Sequence, residues 1–281
     1  MEKTKIVLPV AIVTPDYCNV SAIIPFYNSS STLRRALDSI VNQTSRPKQV
    51  IIIDDGSKTS EQSRLKNIIA NYSKILEIEL LTFNMNAGPS IARNRGWEIA
   101  TQPYIAFLDS DDSWHENKLK IQYEWMEANG EISITGHKCQ VITQEIYSAP
   151  IITYSTNMFT LISKNTALFS NPWSTPTVMV KRDIPFRFNP NMKRAEDYLL
   201  WLEILLSNYK GAISKEKLAY LYKGKYGDGG LSLNTNAMGR CELKMYQLIY
   251  ERKYISYPKF ILLFSVSLLK LARRRIILKL Q

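Results

Sequence analysis

Short apolar runs alternate with segments of helical periodicity through the first half of the chain. The apolar runs have the length and β-branched content of buried strands, at residues 20–25, 49–53, 78–83 and 104–108. A helical pattern follows each run, and the last two helices are predicted at 87–100 and 118–129. This alternation predicts an α/β fold with a buried, mostly parallel sheet and helices on both faces.

The second half of the chain has a less regular pattern. Strands are predicted at 132–142, 146–154 and 176–180, and the first two are compatible with a hairpin. Residues 196–206 predict an amphipathic helix with a thick apolar face. The glycine-rich segment 222–234 predicts a mobile loop, and helical periodicity resumes over 237–254.

Polar residues follow three of the predicted strands. Pro25-Phe26-Tyr27-Asn28 comes at the end of the first strand, Asp54-Asp55 at the end of the second and Asp109-Ser110-Asp111-Asp112 at the end of the fourth. Ligands of parallel α/β sheets bind at the carboxyl ends of the strands, so these residues predict a ligand site at one edge of the sheet.

The segment Asp109-Ser110-Asp111-Asp112 carries the sharpest chemical signal. Three neighbouring carboxylates repel one another unless a cation joins them. Mg²⁺ or Mn²⁺ prefers oxygen ligands and keeps coordination positions for a substrate, which favours a metal site that also holds diphosphate oxygens. The alternative is a turn in which an aspartate caps the next helix.

Three further polar segments each have a structural and a chemical interpretation. Asp54-Asp55-Gly56-Ser57 is either a turn with a helix cap or a carboxylate that binds a nucleobase or ribose. Arg93, after the helix start at 86–89, either belongs to a solvated helix face or binds a phosphate group. Glu196-Asp197 either complements a helix dipole or supplies a general base that deprotonates a hydroxyl group.

Composition excludes several classes of protein. The chain has 281 residues, of which 45% are apolar and 22% charged, so it is neither disordered nor collagen-like. Three widely separated cysteines, no CxxC pattern and two histidines argue against a disulfide scaffold or a zinc cluster. The absence of GxGxxG and GxxxxGK[ST] patterns disfavours dinucleotide binding and P-loop chemistry.

The net charge of +11 is concentrated at the C-terminal end. Residues 251–281 contain eight Lys and Arg against one Glu, which leaves +7 in this segment. No apolar run reaches the length of a bilayer span, and the longest lies at 260–272. The segment is therefore expected to lie on an anionic membrane surface or to pack on the body with a solvated basic end. Its cations lie beside aliphatic residues, which disfavours nucleic-acid binding.

Six segments, in order and at matching spacing, resemble family 2 inverting glycosyltransferases of the GT-A fold. They are 21–28 (SAIIPFYN), 39–44 (SIVNQT), 51–57 (IIIDDGS), 86–96 (NAGPSIARNRG), 104–114 (YIAFLDSDDSW) and 195–202 (AEDYLLWL). The resemblance implies a metal-dependent enzyme that moves a sugar from a nucleotide-sugar, most often a UDP-sugar, to a saccharide hydroxyl with inversion. We therefore expect a domain at 1–235, with a donor half at about 20–130 and an acceptor half at about 131–235. The basic C-terminal segment at 236–281 is predicted to form a helical tail after it.

The resemblance also assigns roles to individual residues. Pro25 and Tyr27 are implied to line the base and ribose pocket, with Asp55 accepting a hydrogen bond from the uracil imide and Asp54 nearby. Arg93, Asp109 and Ser110 are implied to bind the donor, and Asp111 with Asp109 is implied to bind Mn²⁺ or Mg²⁺. Asp197 is implied to act as the general base. Lys223 or Lys225, in a flexible lid, is implied to contact the diphosphate.

The expected setting is cytoplasmic, at the inner face of the membrane, where a polyprenyl-diphosphate-linked oligosaccharide serves as acceptor for bacterial surface polysaccharide. A non-catalytic sugar-nucleotide-binding scaffold in a membrane assembly is the alternative. Intact Asp111 and Asp197 argue against this alternative, because a decayed site usually loses such groups.

Overall fold

The computed structural model describes residues 16–142, 158–222 and 235–280. Strands and helices alternate up to residue 128, as the periodicity predicts. These elements are β1 (Asp16–Phe26), α1 (Ser30–Val41), β2 (Ser45–Asp54), α2 (Thr59–Tyr72), β3 (Ile78–Thr82), α3 (Pro89–Ile99), β4 (Tyr104–Phe107), β5 (Ser113–Trp114) and α4 (Lys118–Ala128).

The described part of the second half contributes two long strands, two strands of three residues and several helices. Its elements are β6 (Ile132–Ile142), β7 (Phe159–Leu161), α5 (Lys164–Phe169), a 3₁₀ turn (Thr175–Thr177), β8 (Met179–Lys181), α6 (Glu196–Leu206), β9 (Lys210–Tyr222), α7 (Thr235–Glu251) and α8 (Tyr257–Leu280). The predicted strand at 146–154 and the glycine-rich segment after Tyr222, with Lys223 and Lys225, lie outside the described residues.

Within the described residues the strands form one nine-stranded sheet. Its order is β3-β2-β1-β4-β8-β6-β9-β5, and β7 pairs with β9. Strands β1, β2, β3 and β4 pair in parallel with one another, which confirms the predicted mostly parallel α/β arrangement, whereas the short β5 is antiparallel to β9. The second half joins through β8, which is antiparallel to both β4 and β6. The two halves of the chain therefore share one continuous sheet.

Helices cover both faces of this sheet, also as predicted. In β1, Ile23 lies in the cluster formed with α3 and α6, whereas Ala22 and Ile24 lie in the cluster formed with α1, α2 and α4. Successive strand residues point to opposite faces, so a strand buried on both faces needs a nearly continuous apolar run. This is the physical reason why the runs at 20–25 and 49–53 correctly predict buried strands of the sheet.

Two local predictions for the second half were wrong. Residues 176–180 were expected to form one strand, but Pro176 lies in the 3₁₀ turn and only Met179 and the next two residues form β8. Proline has no N–H to donate to a ladder, and the Thr177 N–H instead closes the turn onto the Ser174 carbonyl at 2.9 Å.

The helix α6 is also not amphipathic. Every residue from 198 to 205 is buried, because α6 packs between the sheet and α7. A helix buried on all sides needs a partner for any charge it carries. Glu203 of α6 forms an ion pair with Arg252, which follows α7. This ion pair connects the end of α7 to α6.

The C-terminal helix α8 packs on α7 through its residues Leu263, Ser267 and Leu271. Lys270 of α8 also donates a hydrogen bond of 2.8 Å to the carbonyl of Phe169, at the end of α5. The opposite side of α8 exposes apolar side chains, and Leu269 is 70% accessible. Across the part of the chain that is described, no helix has the length and apolar content to cross a membrane.

Candidate functional site

The loops that follow β1, β2 and β4 meet at the carboxyl edge of the sheet. The Asn28 N–H donates to Ser57 Oγ at 2.9 Å, which joins the first loop to the second. The hydroxyls of Ser29 and Ser110 lie 2.8 Å apart, which joins the first loop to residues 109–112, called the acidic segment below. The three polar clusters predicted to share one edge therefore do so.

Asp54 and Asp55 have different environments, although they are adjacent in sequence. Asp54 is fully buried, and its Oδ1 accepts a hydrogen bond from the Ser57 N–H at 3.0 Å. This is the turn that the structural interpretation of the segment predicts. Helix α2 begins after Lys58, and neither aspartate caps it.

Asp55 fastens the loop that precedes α3. Its Oδ1 accepts from the Ala87 N–H at 2.7 Å, and its Oδ2 accepts from the Gly88 N–H and from Asn86 Nδ2, both at 2.9 Å. Burial raises the pKa of Asp55, and the bonds from Ala87 and Gly88 oppose that shift. A carboxylate offers about four acceptor positions, so about one remains for a ligand.

The loop contact also explains Gly56. Its φ is +70°, and a Cβ at this position would lie 2.4 Å from the main-chain carbon of Met85. Only glycine fits a left-handed turn that another backbone approaches so closely. Tyr27 is 51% exposed beside these loops, and Pro25 is half-buried. These two residues can therefore form one wall of an open pocket.

The acidic segment contains one exposed and two more enclosed carboxylates. Asp111 is exposed, whereas Asp112 is buried and accepts a hydrogen bond of 3.3 Å from the Tyr222 N–H. Desolvation and repulsion by Asp109 raise the pKa of Asp111, and desolvation with repulsion by both neighbours raises that of Asp112 to about 8. Asn117 precedes α4 as its cap residue, so the alternative that an aspartate caps this helix was wrong.

Arg93 connects the acidic segment with α6. Its Nη2 lies 2.6 Å from Asp109 Oδ1 and its Nη1 lies 3.4 Å from Glu196 Oε1. The arginine side chain is only 7% exposed, so the alternative of a solvated helix face was wrong. Two carboxylates from distant parts of the chain thus share one buried guanidinium group, as expected for an arginine that can bridge anions.

Asp197 lies at the beginning of α6, next to this ion-pair network. Its Oδ1 accepts from the Tyr198 N–H at 2.7 Å, and its Oδ2 lies 3.4 Å from Thr175 Oγ1 and 3.5 Å from Asn171 Nδ2. Burial and the adjacent Glu196 raise the pKa of Asp197 to about 6, against the opposing effects of the Tyr198 N–H and Arg93. A carboxylate with this pKa is suited to accept a proton near neutral pH.

A divalent cation fits the acidic segment only with help from a ligand. Among the described residues, no three or more His, Cys, Asp or Glu side chains are placed to hold a metal ion. Asp109 is already paired with Arg93, which leaves exposed Asp111 as the available carboxylate. Desolvation raises the pKa of Asp111 and Asp112 most, and repulsion among the carboxylates raises it further; a cation bound by Asp111 and phosphate oxygens would offset this repulsion.

Sequence patterns did not identify several contacts of this site. Glu196 was recognised as part of an acidic pair, but its bond to Arg93 was not predicted. Asn171 and Thr175 near Asp197, and Arg35 and Tyr222 at the acidic segment, carried no local signal. These residues lie in the second half of the chain or on an outer helix face. There, hydrophobic periodicity predicts whether a residue is buried but not which residue it contacts.

Comparison with known proteins identifies related sequences. The family model described as glycosyl transferase family 2 matches residues 21–183. A protein of Rickettsia bellii (strain RML369-C), described as an uncharacterized glycosyltransferase, is 34% identical over 90% of this chain, but the chain spans only 36% of that relative. The Escherichia coli protein WfgD is 31% identical over 69% of this chain and 73% of its own length, and it is described as a UDP-Glc:alpha-D-GlcNAc-diphosphoundecaprenol beta-1,3-glucosyltransferase.

A solved structure also has the same fold. The mannosyltransferase PcManGT from Pyrobaculum calidifontis, in complex with GDP-Man and Mn²⁺, matches 91% of this chain and 71% of its own chain with a TM-score of 0.64. The sequence identity is 16%, so the similarity concerns the fold alone. It agrees with the GT-A arrangement that the six sequence segments imply.

Proposed function

The chain belongs to glycosyl transferase family 2, and from that premise we propose that it transfers a sugar from a nucleotide-sugar to a hydroxyl group of a saccharide. The main observation in favour is the Arg93 bridge between Asp109 and Glu196. It brings the acidic segment at the carboxyl edge next to Asp197, the residue proposed as the base. The donor diphosphate and the acceptor hydroxyl would therefore meet at this bridge.

The proposed donor is a UDP-sugar. Tyr27 and Pro25 would form the wall against the base and ribose, and the remaining acceptor position of Asp55 would receive the imide N–H of uracil. The description of WfgD as a UDP-Glc-dependent enzyme supports this choice. A GDP-sugar is the alternative, since PcManGT was solved with GDP-Man.

The diphosphate would lie at the acidic segment, with Ser110, Asp111 and Arg93 around it. Bound Mn²⁺ or Mg²⁺ would stabilise the negative charge that develops on the departing nucleoside diphosphate. Asp111 would hold this ion, and Asp109 would orient Arg93 or contribute a second oxygen. Lys223 and Lys225, outside the described residues, would reach the diphosphate from the glycine-rich segment.

Asp197 would act as the general base in an inverting displacement. Its carboxylate accepts the proton of the acceptor hydroxyl while the hydroxyl oxygen forms a bond to the anomeric carbon. The bond from that carbon to the diphosphate oxygen breaks, and its electron pair leaves with the nucleoside diphosphate. Because attack comes from the opposite face, an α-linked donor gives a β-linked product. The raised pKa of Asp197 supports this role.

The proposed acceptor is a polyprenyl-diphosphate-linked saccharide at the cytoplasmic face of a bacterial membrane, in surface polysaccharide synthesis. The description of WfgD with an undecaprenol-linked acceptor supports this acceptor class. Helix α8 supports the location, because it exposes leucines and contains Lys and Arg but no acidic residue. Residues 1–235 would then be the transferase domain, with donor and acceptor halves on one sheet, and 236–281 the membrane-associating segment.

A binding protein without transferase activity is the second candidate. A scaffold of this kind would bind sugar nucleotides but would not need a base. The proton-accepting environment of Asp197, which nucleotide binding alone does not require, favours the enzyme.

The test combines ligand binding with turnover. We would measure thermal shifts with UDP, GDP, CMP and dTDP sugars, each with and without Mn²⁺, and then transfer to a diphosphoundecaprenol-linked saccharide. Asp197→Asn should retain donor binding and lose transfer. Glu98→Gln, at an exposed position on α3, is the matched control and should retain both. Binding without transfer in the wild-type protein would favour the scaffold, and full turnover by Asp197→Asn would refute the role of the base.

A further inference from the structure

Arg35 contacts the acidic segment but has no role in the transfer reaction described above. It lies on α1, and its Nη2 donates a hydrogen bond to the main-chain carbonyl of Asp111. That carbonyl belongs to the peptide group between Asp111 and Asp112. Because a fixed peptide plane limits the directions of both adjoining side chains, Arg35 restrains the two carboxylates without touching either one.

Tyr222 holds the next two residues of the same segment. Its N–H donates to Asp112 Oδ1 at 3.3 Å, and its hydroxyl accepts a hydrogen bond of 3.2 Å from Ser113 Oγ. The pairing of β5 with β9 anchors this contact, since Ser113 is opposite Tyr220. Residues 111, 112 and 113 are thus each held from outside the segment.

Arg35 and Tyr222 also contact each other. The guanidinium carbon of Arg35 lies 3.6 Å from the centre of the Tyr222 ring, close enough for a cation–π interaction. The half-buried arginine is therefore kept between the ring on one side and the Asp111 carbonyl on the other. Helix α1, the acidic segment and the end of β9 form one connected unit.

We propose that Arg35 and Tyr222 are positioning residues that hold Asp111 in the orientation needed to bind a divalent cation together with the donor diphosphate. The inference rests on the metal-dependent function proposed above. It concerns how tightly the ion binds, because outer contacts that orient a ligand typically change metal affinity by about 10- to 100-fold.

The sign of the effect distinguishes this role from simple electrostatics. Arg35 carries a positive charge near the acidic segment, so its charge alone would repel a cation. If charge were its only contribution, Arg35→Met would bind Mn²⁺ more tightly. If positioning dominates, the same substitution weakens binding.

The experiment is a calorimetric titration of Mn²⁺ into the full chain in saturating UDP. Arg35→Met should bind Mn²⁺ about 10- to 100-fold more weakly than wild type. Tyr222→Leu, which leaves the charge unchanged, should weaken binding in the same way. Arg35→Lys, which keeps a donor and a charge, should restore part of the affinity. Arg34→Met is the matched control, because it removes the same charge from an exposed neighbouring position and should not weaken binding.

Each outcome bears on the inference. Unchanged or tighter Mn²⁺ binding by folded Arg35→Met and Tyr222→Leu, with normal wild-type binding, would overturn the positioning role and leave the proposed function intact. Absence of Mn²⁺-dependent UDP binding in the wild-type protein would overturn metal use and this inference together. Far-UV circular dichroism checks that each variant is folded. If Arg35→Met does not fold, the Mn²⁺ affinities of Arg35→Lys and Tyr222→Leu test the positioning role instead.

Discussion

Arg93 Nη1 and Glu196 Oε1 lie 3.4 Å apart, although 103 residues separate them along the chain. The pair spans from α3, which connects β3 to β4, to the first turn of α6, which carries Asp197. The same guanidinium group binds Asp109. The acidic segment and the proposed base are therefore held at a fixed separation by one buried side chain.

Loss of this bridge is expected to destabilise the fold. Arg93→Met leaves Asp109 and Glu196 without their shared cation, and breaking a buried ion pair costs about 3 kcal/mol. In a double-mutant cycle with Glu196→Gln, the coupling free energy should be about 1 to 2 kcal/mol. Urea denaturation followed by tryptophan fluorescence measures both quantities.

Arg95→Met provides the control for this prediction. Arg95 pairs with Glu98 on the exposed side of the same helix, where side chains are 45% and 57% accessible. An exposed pair contributes about 0.5 kcal/mol. Equal losses of stability for Arg93→Met and Arg95→Met would contradict the bridging role.

The rate of transfer should depend on pH through Asp197. Its pKa is raised to about 6, and a general base must be ionised to accept a proton. At saturating substrates, kcat should therefore be constant above this pH and fall about tenfold per pH unit below it.

Glu196→Gln should move this profile to lower pH. The charge of Glu196 raises the pKa of Asp197, and Glu196→Gln removes this charge while Arg93, still paired with Asp109, continues to favour the ionised form of Asp197. The measurement is the pH dependence of kcat for both proteins. A profile that stays at the same pH in the variant would show that Glu196 does not act on the base.

Lys118 is expected to lower the stability of the fold. Its side chain is fully buried at the beginning of α4, 3.9 Å from the centre of the Trp114 ring, and its Nζ has no hydrogen-bond partner among the described residues. Burial holds its pKa well below the usual value of 10.5. Lys118→Met should therefore raise the free energy of unfolding by about 1 to 3 kcal/mol at pH 7.

The pH dependence provides an internal check on this prediction. The pKa of Lys118 is lower in the folded chain than in the unfolded chain, so the folded chain loses this proton at a lower pH. The stability penalty therefore diminishes as pH rises toward 10.5. The increase in the free energy of unfolding caused by Lys118→Met should therefore become smaller as pH rises from 7 toward 10.5. Lys120→Met, an exposed substitution on the same helix, should change stability by less than about 0.5 kcal/mol at either pH.

Binding to anionic membranes should depend on the exposed face of α8. Leu262 and Leu269 are 52% and 70% accessible, and each is expected to enter the interface between headgroups and acyl chains. The double substitution Leu262→Asp with Leu269→Asp removes apolar area and adds like charge to an anionic surface. Co-sedimentation with vesicles of phosphatidylglycerol and phosphatidylcholine should fall about tenfold or more.

Met85→Asp is the control for the vesicle experiment. Met85 is 74% exposed at the loop after β3, on a different part of the molecule from α8. Its substitution should leave sedimentation unchanged. Equal binding by wild type and the α8 double variant would refute the role of this face.

Periodicity was most informative where burial follows from the local sequence. The run 20–25 is apolar except at Ser21 because β1 is buried on both faces, so its state could be derived without knowing its neighbours. It was least informative for Pro176, where the missing N–H favours a turn, and for α6, where α7 supplies a second apolar surface. The amphipathic prediction for α6 assumed a solvent-facing side that tertiary packing removed.

The sequence by itself determined the four strand–helix units and the carboxyl-edge position of Asp54, Asp55 and the acidic segment, because these features depend on residues close together in the chain. The tertiary structure alone decided which groups face each other: Asp55 with the N–H groups of Ala87 and Gly88, and Arg93 with Asp109 and Glu196. The physical reason is the order of strands in the sheet. The parallel pairing of β1 to β4 places Asp55 beside the loop before α3 and Arg93 beside Asp109. The pairing of β8 with β4 then brings the second half of the chain beside the first, and Glu196 comes within hydrogen-bonding distance of Arg93.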